Sequence, residues 1–188
     1  MRRYLTCLVV TLLTASGTDA QQSMVSIYTD VSGKACTKHI DDESTGAYTL
    51  GCTGIQGFRL HVLEDDERSS VTVITPDKRV LPLNYWDVAT RGFSTLAPKV
   101  EWRIAKVGGQ AIPVAIIVRV NTLDQSDPGH PKRVPLLVVA KISRDTTCVT
   151  RVVDALAPKA NQEARRLSDD PHLSCLPAET ATTTPTKG

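Results

Sequence analysis

No stretch of this 188-residue chain spells out a reaction. It has no GxSxG elbow, no HExxH pair, no Walker loop, no dinucleotide fingerprint and no EF-hand loop. It has no CxxC pair either, so its cysteines lack the spacing of a zinc site. The four histidines, His39, His61, His130 and His172, stand apart, none at helical or hairpin spacing from a second one. Neither a metal nor a cofactor is therefore expected. Charge of one sign is not in excess: 22 Lys and Arg stand against 20 Asp and Glu, a formal net charge of +2. Near-neutrality gives no footing to a nucleic acid or an anionic membrane as partner. Beyond the first residues, no apolar run approaches the ~20 residues needed to cross a bilayer without meeting a charge or a proline. There is no internal repeat.

What is present begins with Met1-Arg2-Arg3, an apolar run over 5–13 and small or polar residues up to Thr18-Asp19-Ala20. These are the three regions of a secretory signal peptide, with cleavage expected before Gln21. The apolar run is too short for a membrane anchor. Of the five cysteines, Cys7 would leave with the signal, and Cys36, Cys52, Cys148 and Cys175 remain. An even number in an exported chain implies disulfides. Four cysteines allow three connectivities. The pairs Cys36–Cys52 and Cys148–Cys175 are preferred because each closes a local loop between segments expected to be neighbours.

The stretch 98–175 organises the fold. Residues 98–107 alternate Val100, Trp102 and Ile104 with Glu101 and Arg103, the period of a half-buried strand. Trp102 should face the core while Glu101 and Arg103 face solvent. Gly108-Gly109 suits a primed hairpin turn. The run 110–121 is apolar on both parities, as in a strand covered on both faces. Residues 133–142 and 146–153 continue the meander. Residues 154–170 change period and read as a helix, with Asp154 as cap, Pro158 in the first turn and Ala160, Ala164 and Leu167 on one face. Upstream, strands are expected over 23–31, 47–52, 58–63 and 69–75. Residues 36–46 read as a polar surface loop, and 80–96 as a long structured loop.

Candidate functional residues are few. Tyr85, Trp86 and Phe93 cluster in the 80–96 loop. Such rings either cap the core or form a binding rim. Glu64-Asp65-Asp66-Glu67 is the densest carboxylate group. In a tight turn its members should diverge into solvent, without the glycine a calcium loop needs. His61, on the strand leading into that turn, is the best acid or base on offer. Nothing marks Ser69, Ser94 or Ser143 as a nucleophile, since a triad is recognised by geometry.

Tyr28-Thr29-Asp30 ahead of Cys36, Cys52-Thr53-Gly54, Pro98-Lys99-Val100-Glu101-Trp102-Arg103, and Cys148-Val149 running to Val153-Asp154-Ala155 form a connected pattern, closed by Asn161, Ala164-Arg165 and a final cysteine. With the signal peptide, this resembles a family of small, uncharacterised exported proteins of Gram-negative bacteria, over roughly 28–175. The resemblance implies a periplasmic or secreted location and the two local disulfides. It implies no activity.

The expected fold is α+β, mainly antiparallel β, with a meander sheet backed by one C-terminal helix and stapled by two disulfides. The expected organisation is a signal peptide (1–20), one β-rich domain (21–176) and a disordered Thr/Pro-rich tail (177–188). The expected function is non-enzymatic: an exported domain that binds a protein or an envelope component through a rim of Tyr85, Trp86 and Phe93. The alternative is a secreted hydrolase whose site is assembled from loops. A deep pocket holding a base within reach of a nucleophile or a second acid would favour the enzyme, and a shallow apolar patch around Trp86 and Phe93 the binder.

Overall fold

The structure, a computed structural model, describes residues 23–178 except 91, 125, 126, 128, 144 and 145. The signal segment and nearly all of the tail lie outside the described residues. Ten strands and two helices follow in order: β1 (Ser23–Asp30), β2 (Cys36–Asp42), β3 (Ala47–Thr53), β4 (Arg59–Asp65), β5 (Arg68–Ile74), β6 (Val80–Pro82), α1 (Tyr85–Val88), β7 (Ser94–Val107), β8 (Gln110–Asp124), β9 (Lys132–Ile142), β10 (Thr147–Asp154) and α2 (Ala160–Ser168). They form two five-stranded antiparallel sheets, ordered β2-β3-β4-β5-β6 and β1-β7-β8-β9-β10. The expected meander is the second sheet, with β1 added along β7.

Alternation builds the core between the sheets. Leu60 and Val62 of β4 and Val71 and Val73 of β5 meet Val100, Trp102 and Ile104 of β7, Ile116, Val118 and Val120 of β8, and Val138 and Ala140 of β9. Trp102 is fully buried, and its indole N–H donates to Thr29 Oγ1 at 2.8 Å, so its one polar atom is satisfied. Gly54 permits this packing: a Cβ there would stand 2.8 Å from the Trp102 ring and 2.7 Å from the Phe58 carbonyl oxygen. At the β7–β8 hairpin, Gly108 and Gly109 take φ of +56° and +80°, the left-handed pair that a primed turn requires.

The other face of β7 departs from expectation. Glu101 and Arg103 do not face solvent; they are 8% and 6% exposed, because α2 lies across that face. Parity was right, but the second face has a cover. Ala160 and Ala164 let the helix approach closely over Ile117, Leu137 and Val139. Two further corrections concern local signals. Residues 36–42 pair with β3 as an edge strand rather than a loop, and the 80–96 segment contains β6 and α1. The helix starts at Ala160 behind Lys159, with φ of 59° and no side-chain cap. Asp154 instead accepts the Leu156 N–H in a turn that precedes it.

Both disulfides pair as expected. Cys36–Cys52 joins directly opposed residues of β2 and β3, with Cα atoms 4.4 Å apart. Cys148–Cys175 ties the segment after α2 to β10 across 5.6 Å. The Leu176 N–H donates to the Val149 carbonyl at 2.8 Å, so that segment is held by backbone as well. No described helix is long and apolar enough to cross a membrane.

Candidate functional site

The aromatic cluster does not stay together. Tyr85 is wholly buried and belongs to the core, where burial pushes its phenol pKa up. Trp86 is half-buried, with the Arg68 guanidinium 5.3 Å above its ring. Phe93 is exposed and lines a polar pocket of about 280 Å³ with Glu64, Glu67, Asn121, Thr122 and Arg133.

That pocket sits at the tip of the β4–β5 hairpin, where Asp66 and Glu67 take φ of 49° and 56° without a glycine. The four acids do not all diverge into solvent. Glu64 turns inward and accepts a hydrogen bond from Ser69 Oγ at 2.7 Å. Burial raises its pKa, and the Ser69 bond only partly offsets this. A carboxylate against a serine hydroxyl is the beginning of a hydrolase site. Ser69 is 0% exposed, however, and its hydroxyl also lies 3.0 Å from the Ser94 carbonyl. No substrate carbonyl can reach it. His61 lines none of the three cavities described in this section; burial, then the nearby Arg59, lowers its pKa. Among the described residues no group of His, Cys, Asp and Glu is placed to hold a metal ion.

A different site lies at the opposite end of the sandwich. There, Phe58, Pro76, Ile112, Pro113, Val114 and Ile142 line a cleft of about 450 Å³ between the sheets, edged by Thr75, Asp77, Arg79 and Ser143. Its size falls within the range of about 300–1,000 Å³ typical of small-molecule pockets. Each wall has a local cause. The 54–58 turn, closed by Gly54 N–H to Phe58 O at 3.1 Å, holds the Phe58 ring against Trp102 at 6.0 Å between centroids. The β5–β6 turn is fixed around Thr75, whose hydroxyl oxygen accepts the Arg79 N–H at 2.9 Å. Asp77 accepts from the Thr75 hydroxyl and pairs with Arg79 at 2.9 Å, which keeps its carboxyl below the usual range. A rigid polar rim thus surrounds an apolar floor.

The third wall is a split in the second sheet. Ladder pairing of β8 with β9 ends at Ala115 opposite Lys141, while β8 continues beside β7 down to Gln110. Val114 forms a bulge in that second pairing, and Pro113 follows it toward the tip. A bulge bends its strand, and a proline in a sheet marks an edge where no N–H is needed. Ile112 is left 44% exposed beside the opening. On the helix side of the same split lies a second cavity, of about 330 Å³, lined by Met24, Val139, Leu167 and Pro171 among others.

Apart from Ser143, weighed above only as a possible nucleophile, none of these cleft residues was singled out by the sequence. The available signal was Pro113 inside an otherwise continuous apolar run. Read as a strand covered on both faces, that run hid an edge that only the proline betrays. Comparison with protein-family models, with curated proteins and with solved structures finds no match for this chain.

Proposed function

We propose that this protein is an exported, non-enzymatic binding domain of the Gram-negative envelope that holds an apolar group of an envelope component in the end cleft. One observation carries the reading: the apolar cleft walled by Phe58, Pro76, Ile112, Pro113 and Ile142 within a rim fixed by its own hydrogen bonds. A preformed concave site with a rigid border needs little ordering when it binds. Export is supported by the signal-like N-terminus and by two disulfides, bonds that persist in oxidising compartments. The hydrolase reading has less behind it, because the Glu64–Ser69 pair is closed to substrate.

The test uses protein exported with its own N-terminal segment and the uncharged fluorophore N-phenyl-1-naphthylamine. Saturable fluorescence enhancement that Ile112→Glu weakens at least tenfold is expected. A folded Ile112→Glu variant that binds the fluorophore as well as the wild type contradicts the assignment.

A further inference from the structure

The end cleft and the cavity under α2 share three wall residues, Val114, Ile142 and Ser143. They stand where the β8–β9 ladder gives out, Val114 and Ile142 one step beyond the Ala115–Lys141 pair and Ser143 one further. The two cavities therefore meet at a shared wall, one on each face of the sheet. Resting on the reading above, we infer that together they form a bent channel that takes a single unbranched acyl chain through the split sheet.

The walls select that ligand. On the sandwich side they are Phe58, Pro76, Ile112 and Pro113; on the helix side they are Met24, Ala115, Val139 and Leu167. The sandwich-side half is mainly apolar, the helix-side half sets Lys141, Ser143, Thr150, Ser168, Asp169 and Asp170 around its apolar residues, and between the two lies the gap where neighbouring strands part. Strands in register lie only about 4.8 Å apart, so a gap just past their last pair admits a flexible chain sooner than a fused ring system. An extended peptide is a poorer occupant, because Pro113 has no N–H to donate to an added strand. Charge on the helix side is balanced. Lys141 and Asp170 both line it, the Lys141 ammonium donating to the Leu173 carbonyl at 3.4 Å, and the Asp169 carboxylate is already bound by Arg103 at 2.7 Å. With no net field to recruit a headgroup, selectivity rests on the chain and its length.

Length is also what the experiment reads. Octanoate, dodecanoate and hexadecanoate, each below its micellar concentration, compete with bound cis-parinaric acid on the wild type, Ile112→Glu and Leu167→Trp. Leu167 lines only the helix-side cavity and is half-buried on α2, so the larger ring fills that space from the helix. In the wild type, affinity should rise about fourfold per added methylene while walls remain to be covered, giving at least about a hundredfold between octanoate and hexadecanoate. Leu167→Trp should abolish that gain and leave octanoate binding within about twofold of the wild type. Wild-type affinity that levels off at octanoate overturns the channel while leaving the end cleft as a binding site. So does a folded Leu167→Trp protein that keeps the full chain-length gain. If no chain displaces the probe and Ile112→Glu changes nothing, the binding reading falls and the channel with it.

Discussion

Glu101 of β7 and Arg165 of α2 meet at 2.6 Å beneath the helix, where the sequence pattern had placed Glu101 in solvent. The contact is one part of a network. Arg103, two residues along the same strand face, makes two bonds to Asp169 at the end of the helix, of 2.8 and 2.7 Å, and Ser26 bonds both strand residues. The helix thus brings small alanines to the apolar part of the sheet and charges to the polar part. Removing one partner of a buried pair strands the other without solvent.

Asp169→Ala should therefore cost about 2–3 kcal/mol, since Arg103 stays buried and loses its bidentate partner, keeping only Ser26 and, at 3.8 Å, Glu101. The exposed pair Arg166–Glu163, at 2.7 Å, is the internal control, and Arg166→Ala should cost under about 1 kcal/mol. Urea denaturation of the two variants beside the wild type measures both. Equal losses would show that burial under α2 does not govern the network.

Acid should expose the same network. Burial works to raise the Glu101 pKa, but hydrogen bonds from Arg165 and Ser26 outweigh it and hold the carboxyl below its usual value. A folded pKa below the unfolded one gives stability that is present above the unfolded value, about 4.3, and is lost as pH falls through the folded value. Between pH 5 and 2.5, wild-type stability should fall more steeply than that of Glu101→Gln. Parallel curves would mean that the titration of Glu101 is not linked to folding.

Losing the second staple should loosen the helix on the sheet. Cys175→Ser removes the bond to Cys148 and should lower stability by about 2–4 kcal/mol. Amide exchange should accelerate in 160–168 while β7 and β8 keep their protection. Uniform acceleration across both sheets would place the helix inside the main folding unit.

The β4–β5 turn carries strain that glycine relieves. Glu67 holds φ of 56°, a left-handed angle that costs an L side chain roughly 1–2 kcal/mol. Glu67→Gly should raise stability by about 1 kcal/mol, after loss of some unfolded-state entropy. A thermal melt reads the change directly, and a lower melting temperature would show that the Glu67 side chain contributes more than its backbone strain costs.

Legibility followed locality. The 98–107 alternation, the Gly108-Gly109 turn and both disulfides depend on neighbours in sequence or on adjacent strands, and each was readable from the chain. The cover on Glu101 and Arg103 was not, because it is supplied by α2 from more than fifty residues away, and strand parity says which residues share a face without saying what lies over it. Tyr85, Trp86 and Phe93 looked like one cluster because they are close in sequence. Tyr85 and Trp86 fall in α1 and Phe93 in the segment leading into β7, so their rings go to the core, to the Arg68 guanidinium and to the polar pocket respectively. The end cleft draws on four separate segments, and only Pro113 hinted at it.

The most direct test of the binding account is a titration of isotope-labelled protein with dodecanoate, followed by backbone amide shifts. Saturable changes centred on Phe58, Thr75, Ile112, Val114 and Ile142 are the predicted result. Changes centred instead on Phe93, Thr95 and Asn121 at the other end of the sandwich, or no saturable change at all, would contradict it.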